Sequence, residues 1–143
     1  MKVRVIWAGK TKARFYQDAI VEYSSRLKKL ISFEVVEIRE ERSSRARKQK
    51  GTAALLQKRQ AAITVVLDSK GKQLSSEQFA AWLGQLTQDV DFIVGGPEGL
   101  EIPSSATTIS FGSMTFPHEL ARVMLLEQLY RALTILKKIP YHK

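Results

Sequence analysis

The amino-acid sequence predicts an α/β fold, a mainly parallel sheet with helices on both faces. Three observations lead there. Segments of strand character alternate with segments of helical period along the whole chain. Strands separated by helices need right-handed crossovers, and those make neighbouring strands parallel. Two of the strands run directly into glycine-bearing loops, at Gly95-Gly96-Pro97-Glu98-Gly99 and at Gly112-Ser113. Side-chain-poor loops at the carboxyl edge of such a sheet are where ligands approach the backbone.

Lys2–Ala8 reads as the first strand, ending at Gly9. In Phe15–Leu30 a helical period places Phe15, Ala19, Ile20, Tyr23, Leu27 and Leu30 on one face. Phe33–Ile38 is the second strand. Arg39–Lys50 is charged and lacks large apolar residues, so it reads as an exposed connection, and Thr52–Gln60 as a short helix. Thr64–Asp68 is a buried-type strand closed by the turn signal Ser69-Lys70-Gly71-Lys72. Ser75 followed by Gln78 forms a capping box that opens a helix burying Phe79, Leu83 and Leu86. Asp91–Val94 and Thr107–Phe111 are the last strands, with Pro103–Ala106 between them as a short link. Pro117 suits the first turn of a closing helix that runs to about Lys137.

The chain has 143 residues and 44% hydrophobic content, enough for the core of one domain spanning 1–143. It shows no internal repeat, low-complexity tract or domain linker. No apolar run reaches the roughly 20 residues of a bilayer span, and the N-terminus alternates in character instead of forming a signal-peptide block. A cytoplasmic protein with no membrane association is the expectation. Without cysteine there is no disulfide, thiol nucleophile or thiolate metal site, and with two histidines no metal centre is expected. The net charge of +9 is unevenly placed: residues 1–60 carry 16 Lys/Arg against 6 Asp/Glu, and residues 61–143 carry 7 against 8. Such asymmetry suits a polyanion met by one part of the fold. The stretch Arg39–Arg59 holds many of these cations without interleaved aromatics, which fits contact with a phosphate backbone more than base reading.

Four segments can carry chemistry. The loop Gly95–Gly99 lacks both the G-x-G-x-x-G dinucleotide fingerprint and a P-loop lysine. Phe111-Gly112-Ser113-Met114-Thr115-Phe116-Pro117-His118 is a second strand-to-loop passage, so two loops can close around one ligand. The closing helix is apolar around nearly its full circumference, which predicts burial on several sides, part of it against a second subunit. Arg122, Glu127 and Arg131 stand out on it; Glu127 and Arg131 are spaced for an i, i+4 pair, while Arg122 and Arg131 can also hold an anion. The tail Tyr141-His142-Lys143 would ordinarily be a frayed end.

Taken together, Ile93-Val94-Gly95-Gly96-Pro97-Glu98-Gly99, Ser113-Met114-Thr115-Phe116-Pro117-His118, Leu126-Glu127-Gln128-Leu129-Tyr130-Arg131-Ala132 and Tyr141-His142-Lys143 closely resemble the ribosomal RNA large-subunit methyltransferase H family. The likeness extends over nearly the whole chain, including Val5-Ile6-Trp7-Ala8-Gly9-Lys10 and Leu67-Asp68-Ser69-Lys70-Gly71. The chain departs from the family mainly over Arg39–Gln60, where the usual connection is longer and differently charged. The resemblance implies a SPOUT-type fold with a C-terminal trefoil knot, the knot and cofactor pocket lying in about residues 64–143. It implies an obligate homodimer whose active sites draw on both subunits. The implied reaction is methyl transfer from S-adenosylmethionine to N3 of a pseudouridine in 23S rRNA of the assembled ribosome.

Carried over by position, the implied cofactor contacts are Leu67, Gly95, Gly96, Phe111, Gly112, Ser113, Met114, Thr115 and Phe116. The implied active-site residues are His118, Arg122, Arg131, Tyr141 and His142. His142 would serve as base toward the weakly acidic N3–H, with Arg131 or Arg122 stabilising charge on the ring. The competing expectations are a noncatalytic RNA- or ribosome-binding protein using Arg39–Arg59, and a flavodoxin-like nucleotide-binding enzyme. For the latter Gly9-Lys10-Thr11 is a poor phosphate loop.

Overall fold

A computed structural model of the protein describes residues 1–38, 63–95 and 104–143. The elements in order are β1 (Lys2–Ala8), α1 (Arg14–Leu30), β2 (Ser32–Ile38), β3 (Ile63–Gln73), α2 (Ser76–Gly84), β4 (Val90–Val94), β5 (Thr107–Ser110) and α3 (His118–Leu136). The short helix expected at Thr52–Gln60, the basic stretch Arg39–Arg59 and the glycine-loop residue Gly96 lie outside the described residues.

The five strands order as β2-β1-β4-β3-β5 and every neighbouring pair is parallel, as the alternation of elements predicts. Strand alternation sends Val3, Val5, Trp7, Val65, Phe92 and Val94 to one face. There they join Leu27 of α1, Phe79 and Leu83 of α2, and Leu125, Leu126 and Leu129 of α3 in a single core. All three described helices therefore pack on the same face. The opposite face carries the equally buried Ile6, Val66 and Ile93. On that same face Arg4 and Asp91, register partners on β1 and β4, form a two-pronged ion pair at 2.8 and 2.7 Å.

Two local expectations need correction. The turn expected at Ser69–Lys72 does not end its strand: β3 continues to Gln73, with an irregular register in which both Leu67 and Lys72 stand opposite Ile109. Gly71 explains the continuation. A Cβ there would stand 2.7 Å from the backbone of Ile109, so this glycine marks a close backbone approach. Phe15, expected on the inward face of α1, is 68% exposed. The Ser75–Gln78 capping box forms with both of its hydrogen bonds, the Gln78 N–H donating to the Ser75 hydroxyl and the Ser75 N–H to the Gln78 side chain.

Candidate active site

The carboxyl ends of β4 and β5, with Leu67–Ser69 of β3, open onto a cleft of about 400 Å³, a volume suited to a cofactor-sized ligand. Leu67, Gly95, Phe111, Gly112, Met114, Thr115 and Phe116 line it together, so residues up to 49 positions apart in sequence meet around one space. Each arrives by a structural necessity. Leu67 stands where β3 loses its regular pairing with β5. Gly95 leaves β4 at its end, and among the described residues nothing lies within 4 Å of the place a Cβ would occupy. Gly112 has φ +142°, a conformation that favours glycine. Met114, 76% exposed, offers an uncovered thioether and methyl surface. Ser113 is exposed but does not line the cleft.

Ser110, which the sequence reading passed over, ties the Gly112 loop to β3. Its hydroxyl accepts from the Gly112 N–H at 3.0 Å and donates toward the carbonyls of Gly112 at 2.8 Å and Ser69 at 3.2 Å. Asp68, Ser69 and Ala121 also line the cleft. The available signal was positional, since Ser110 ends a strand and Asp68 follows Leu67, both directly beside residues singled out in the sequence.

The five active-site candidates fall into three places. His118, the first residue of α3, borders the cleft, and its Nε2 lies 4.0 Å from Glu119 Oε2. Arg122 is 2% exposed and does not line the cleft. Its guanidinium donates to the Thr11 hydroxyl at 2.9 Å and the Ala8 carbonyl at 2.8 Å, and lies over the Trp7 ring at 4.9 Å from the centroid.

Arg131, Tyr141 and His142 gather instead around Glu127. Arg131 grips Glu127 Oε1 through Nε and Nη2 at 3.0 and 2.6 Å, the pair that the i, i+4 spacing predicts. Tyr141 donates to the same oxygen at 3.1 Å. The Tyr141 ring packs edge-on to Tyr130, 4.8 Å between centroids, with Arg131 over it at 4.9 Å. Burial, and then hydrogen bonding with Tyr23 and Glu127, pushes the Tyr141 phenol well above its ordinary pKa, so it remains a donor at neutral pH. Arg131 Nη1 lies 3.0 Å from His142 Nδ1. A guanidinium only donates, so Nδ1 is the acceptor and the ring proton sits on Nε2, 2.8 Å from Glu77 Oε1. That hydrogen bond from His142 holds the Glu77 carboxyl below its usual value. The tail is thus tied down, and the lone pair His142 would use as a base is occupied by Arg131. Beside this cluster is a second, mainly apolar cavity of about 350 Å³ between α2, β5 and α3, lined by Tyr23, Phe79, Phe111, Val123 and Glu127 among others.

Within one chain the cleft and the tail cluster are separate. No group of three or more His, Cys, Asp or Glu side chains among the described residues is arranged to hold a metal ion, and no described helix is long and apolar enough to cross a membrane.

A family model described as "Predicted SPOUT methyltransferase" matches residues 1–142. The chain is 42% identical over 149 residues to the ribosomal RNA large subunit methyltransferase H of Koribacter versatilis (strain Ellin345), covering 99% of this chain and 98% of that one. The same-named proteins of Limosilactobacillus fermentum (strain NBRC 3956 / LMG 18251) and Trichlorobacter lovleyi (strain ATCC BAA-1151 / DSM 17278 / SZ) are each 36% identical, over 159 and 152 residues, with 100% and 99% of both chains covered.

Proposed function

The chain belongs to the SPOUT methyltransferase family, and from that premise we propose that it transfers the methyl group of S-adenosylmethionine to N3 of a pseudouridine in large-subunit ribosomal RNA. The observation that carries the reading is the cleft at the strand ends, where open space above Gly95 coincides with the glycine loop at Gly112. The names of its relatives supply the RNA class.

The residues present fit the cofactor. Backbone at Gly95 and Phe111–Phe116 would hold its polar groups, and Leu67, Met114 and Phe116 would cover its apolar parts. Bound there, it supplies an electrophilic methyl group on sulfur. The N3 nitrogen forms the new bond to that carbon, the sulfur–carbon bond breaks to leave S-adenosylhomocysteine, and the N3 proton departs to a base or to solvent.

Residues of this chain orient, exclude water and place charge. His118 stands at the cleft wall, one residue from the side chain that fixes the α1 entrance. The tail residues Arg131, Tyr141 and His142 reach a cleft in a homodimer, where a second copy lays its tail across the opening. There His142 must exchange Arg131 for the substrate N3–H before it can accept a proton, and Arg131 is released to face the developing negative charge on the ring. Holding methyl, sulfur and nitrogen in line contributes further to the rate. The chain acts as one domain in the cytoplasm, its 64–143 region knotted around the cofactor.

The test is calorimetric titration with S-adenosylmethionine, followed by transfer of labelled methyl to ribosomes from a strain lacking the modification. Cofactor binding and label at one pseudouridine are expected. RNA binding without cofactor binding or transfer would replace this reading with a noncatalytic ribosome-binding protein.

A further inference from the structure

The short loop joining β1 to α1 is held from several sides. Gly9 turns the chain with φ +85° and donates its N–H to the Ile38 carbonyl at 2.8 Å. Thr11 is buried; its carbonyl accepts from Gln17 Nε2 at 2.6 Å and its hydroxyl from Arg122. Helix α1 has no side-chain cap of its own at Ala13. Glu119 of α3 instead braces the residues just before it, its Oε1 accepting the N–H groups of Lys12 and Ala13 at 2.9 and 3.0 Å. The Ala13 N–H, foremost, holds the Glu119 carboxyl below its usual pKa. Two residues of the cofactor-cleft helix therefore clamp this loop, and the residue before the first of them, His118, lines the cleft.

The clamp leaves four side chains pointing out. Lys10, Lys12 and Arg14 are exposed, and so is Phe15, whose ring lies 4.2 Å from that of Tyr16. Three exposed cations and an uncovered aromatic ring within six consecutive residues match what unpaired RNA asks of a protein: charge for the backbone and a flat face for a base.

We propose that Lys10, Lys12, Arg14 and Phe15 form a docking site for a single-stranded loop of RNA, on the loop that the helix bordering the cofactor cleft clamps. Glu119 and Arg122 are positioning residues that fix the distance between this grip and the methyl-transfer centre. The inference rests on the ribosomal RNA reading above, and it places RNA contact apart from Arg39–Arg59.

Methyl transfer to ribosomes lacking the modification, measured across ribosome and salt concentrations with the full chain, tests it. The double variant K10E/K12E should raise KM at least tenfold and reduce the slope of log affinity against log salt by about 1.5. F15A should raise KM roughly 5- to 100-fold. Both should leave the dissociation constant for S-adenosylmethionine and the oligomeric state in gel filtration unchanged. E119A should raise KM without changing cofactor affinity, and E119Q, whose amide oxygen can still take both N–H groups, should restore most of it. A normal KM and salt slope in K10E/K12E and F15A, while the wild type methylates, overturns the proposal and leaves the enzyme reading intact. Altered oligomeric state with normal ribosome affinity overturns it in favour of a subunit contact. If the wild type transfers no methyl, the enzyme reading fails separately, and cosedimentation of the same variants with ribosomes decides the docking site.

Discussion

In the cleft, glycine backbone and apolar side chains stand beside polar ones such as Asp68, Thr115 and His118, and among the described residues nothing lies within 4 Å of the place a Gly95 Cβ would occupy. Around Glu127 the opposite holds: Arg131, Tyr141, His142 and Glu77 are already joined to one another through hydrogen bonds of 2.6 to 3.1 Å. One region is shaped to receive a ligand without rearrangement. The other must break internal bonds before it can touch one, which suits groups that act only when a second surface arrives. Separating the two regions lets binding and chemistry be perturbed independently.

The strongest way to break the comparison is Gly95→Leu. It should lower S-adenosylmethionine affinity by roughly 100-fold or more, about 2.7 kcal/mol, measured by calorimetry. The melting temperature should stay close to wild type, because no atom of the described residues lies within 4 Å of the new Cβ. Glu127→Ala should do the reverse. Removing the shared acceptor of Arg131 and Tyr141 should cost about 2 kcal/mol in urea unfolding, with cofactor affinity unchanged. A smaller effect is expected at Ser110, which links the Gly112 loop to Ser69 of β3. Ser110→Ala should weaken cofactor binding by about fivefold, near 1 kcal/mol, leaving the tail unaffected.

The smallest effect concerns pH. The Glu77 carboxyl is held below its usual 4.5 by His142, so the stabilisation it brings is present above the unfolded value and fades as pH falls through the lower folded one. The melting-temperature difference between wild type and Glu77→Gln should therefore shrink on acidification below about pH 4.5. A difference that grew on acidification would contradict the contact.

Much of the sheet was legible because a strand's two faces and a helix's period leave their mark in residue order. Val3, Val5 and Trp7, the capping box at Ser75, and the Glu127–Arg131 pair are local signals of this kind. The cleft was legible for a related reason, since glycines after two strands announce it. Gly71 was misread because its meaning is tertiary, a close pass against Ile109 that no neighbouring residue reveals. Arg122 and Glu119 were opaque for the same reason: their partners at Ala8, Thr11, Lys12 and Ala13 lie more than 100 residues away. Phe15 fitted the helical period and is nonetheless exposed, because a period gives the side of a helix and not where its packing stops.

The sheet order carries a consequence for how the molecule assembles. β1 sits between β2 and β4, and Arg4 finds Asp91 across 87 positions of sequence. While the polypeptide is being synthesised, β1 can pair only with β2, and its other edge stays open until β4 has emerged. During that interval a buried-type strand bearing an unmatched arginine is presented to the cell. Parallel pairings over such spans form slowly, so newly made chains should depend on protection from edge-to-edge association far more than the finished fold does.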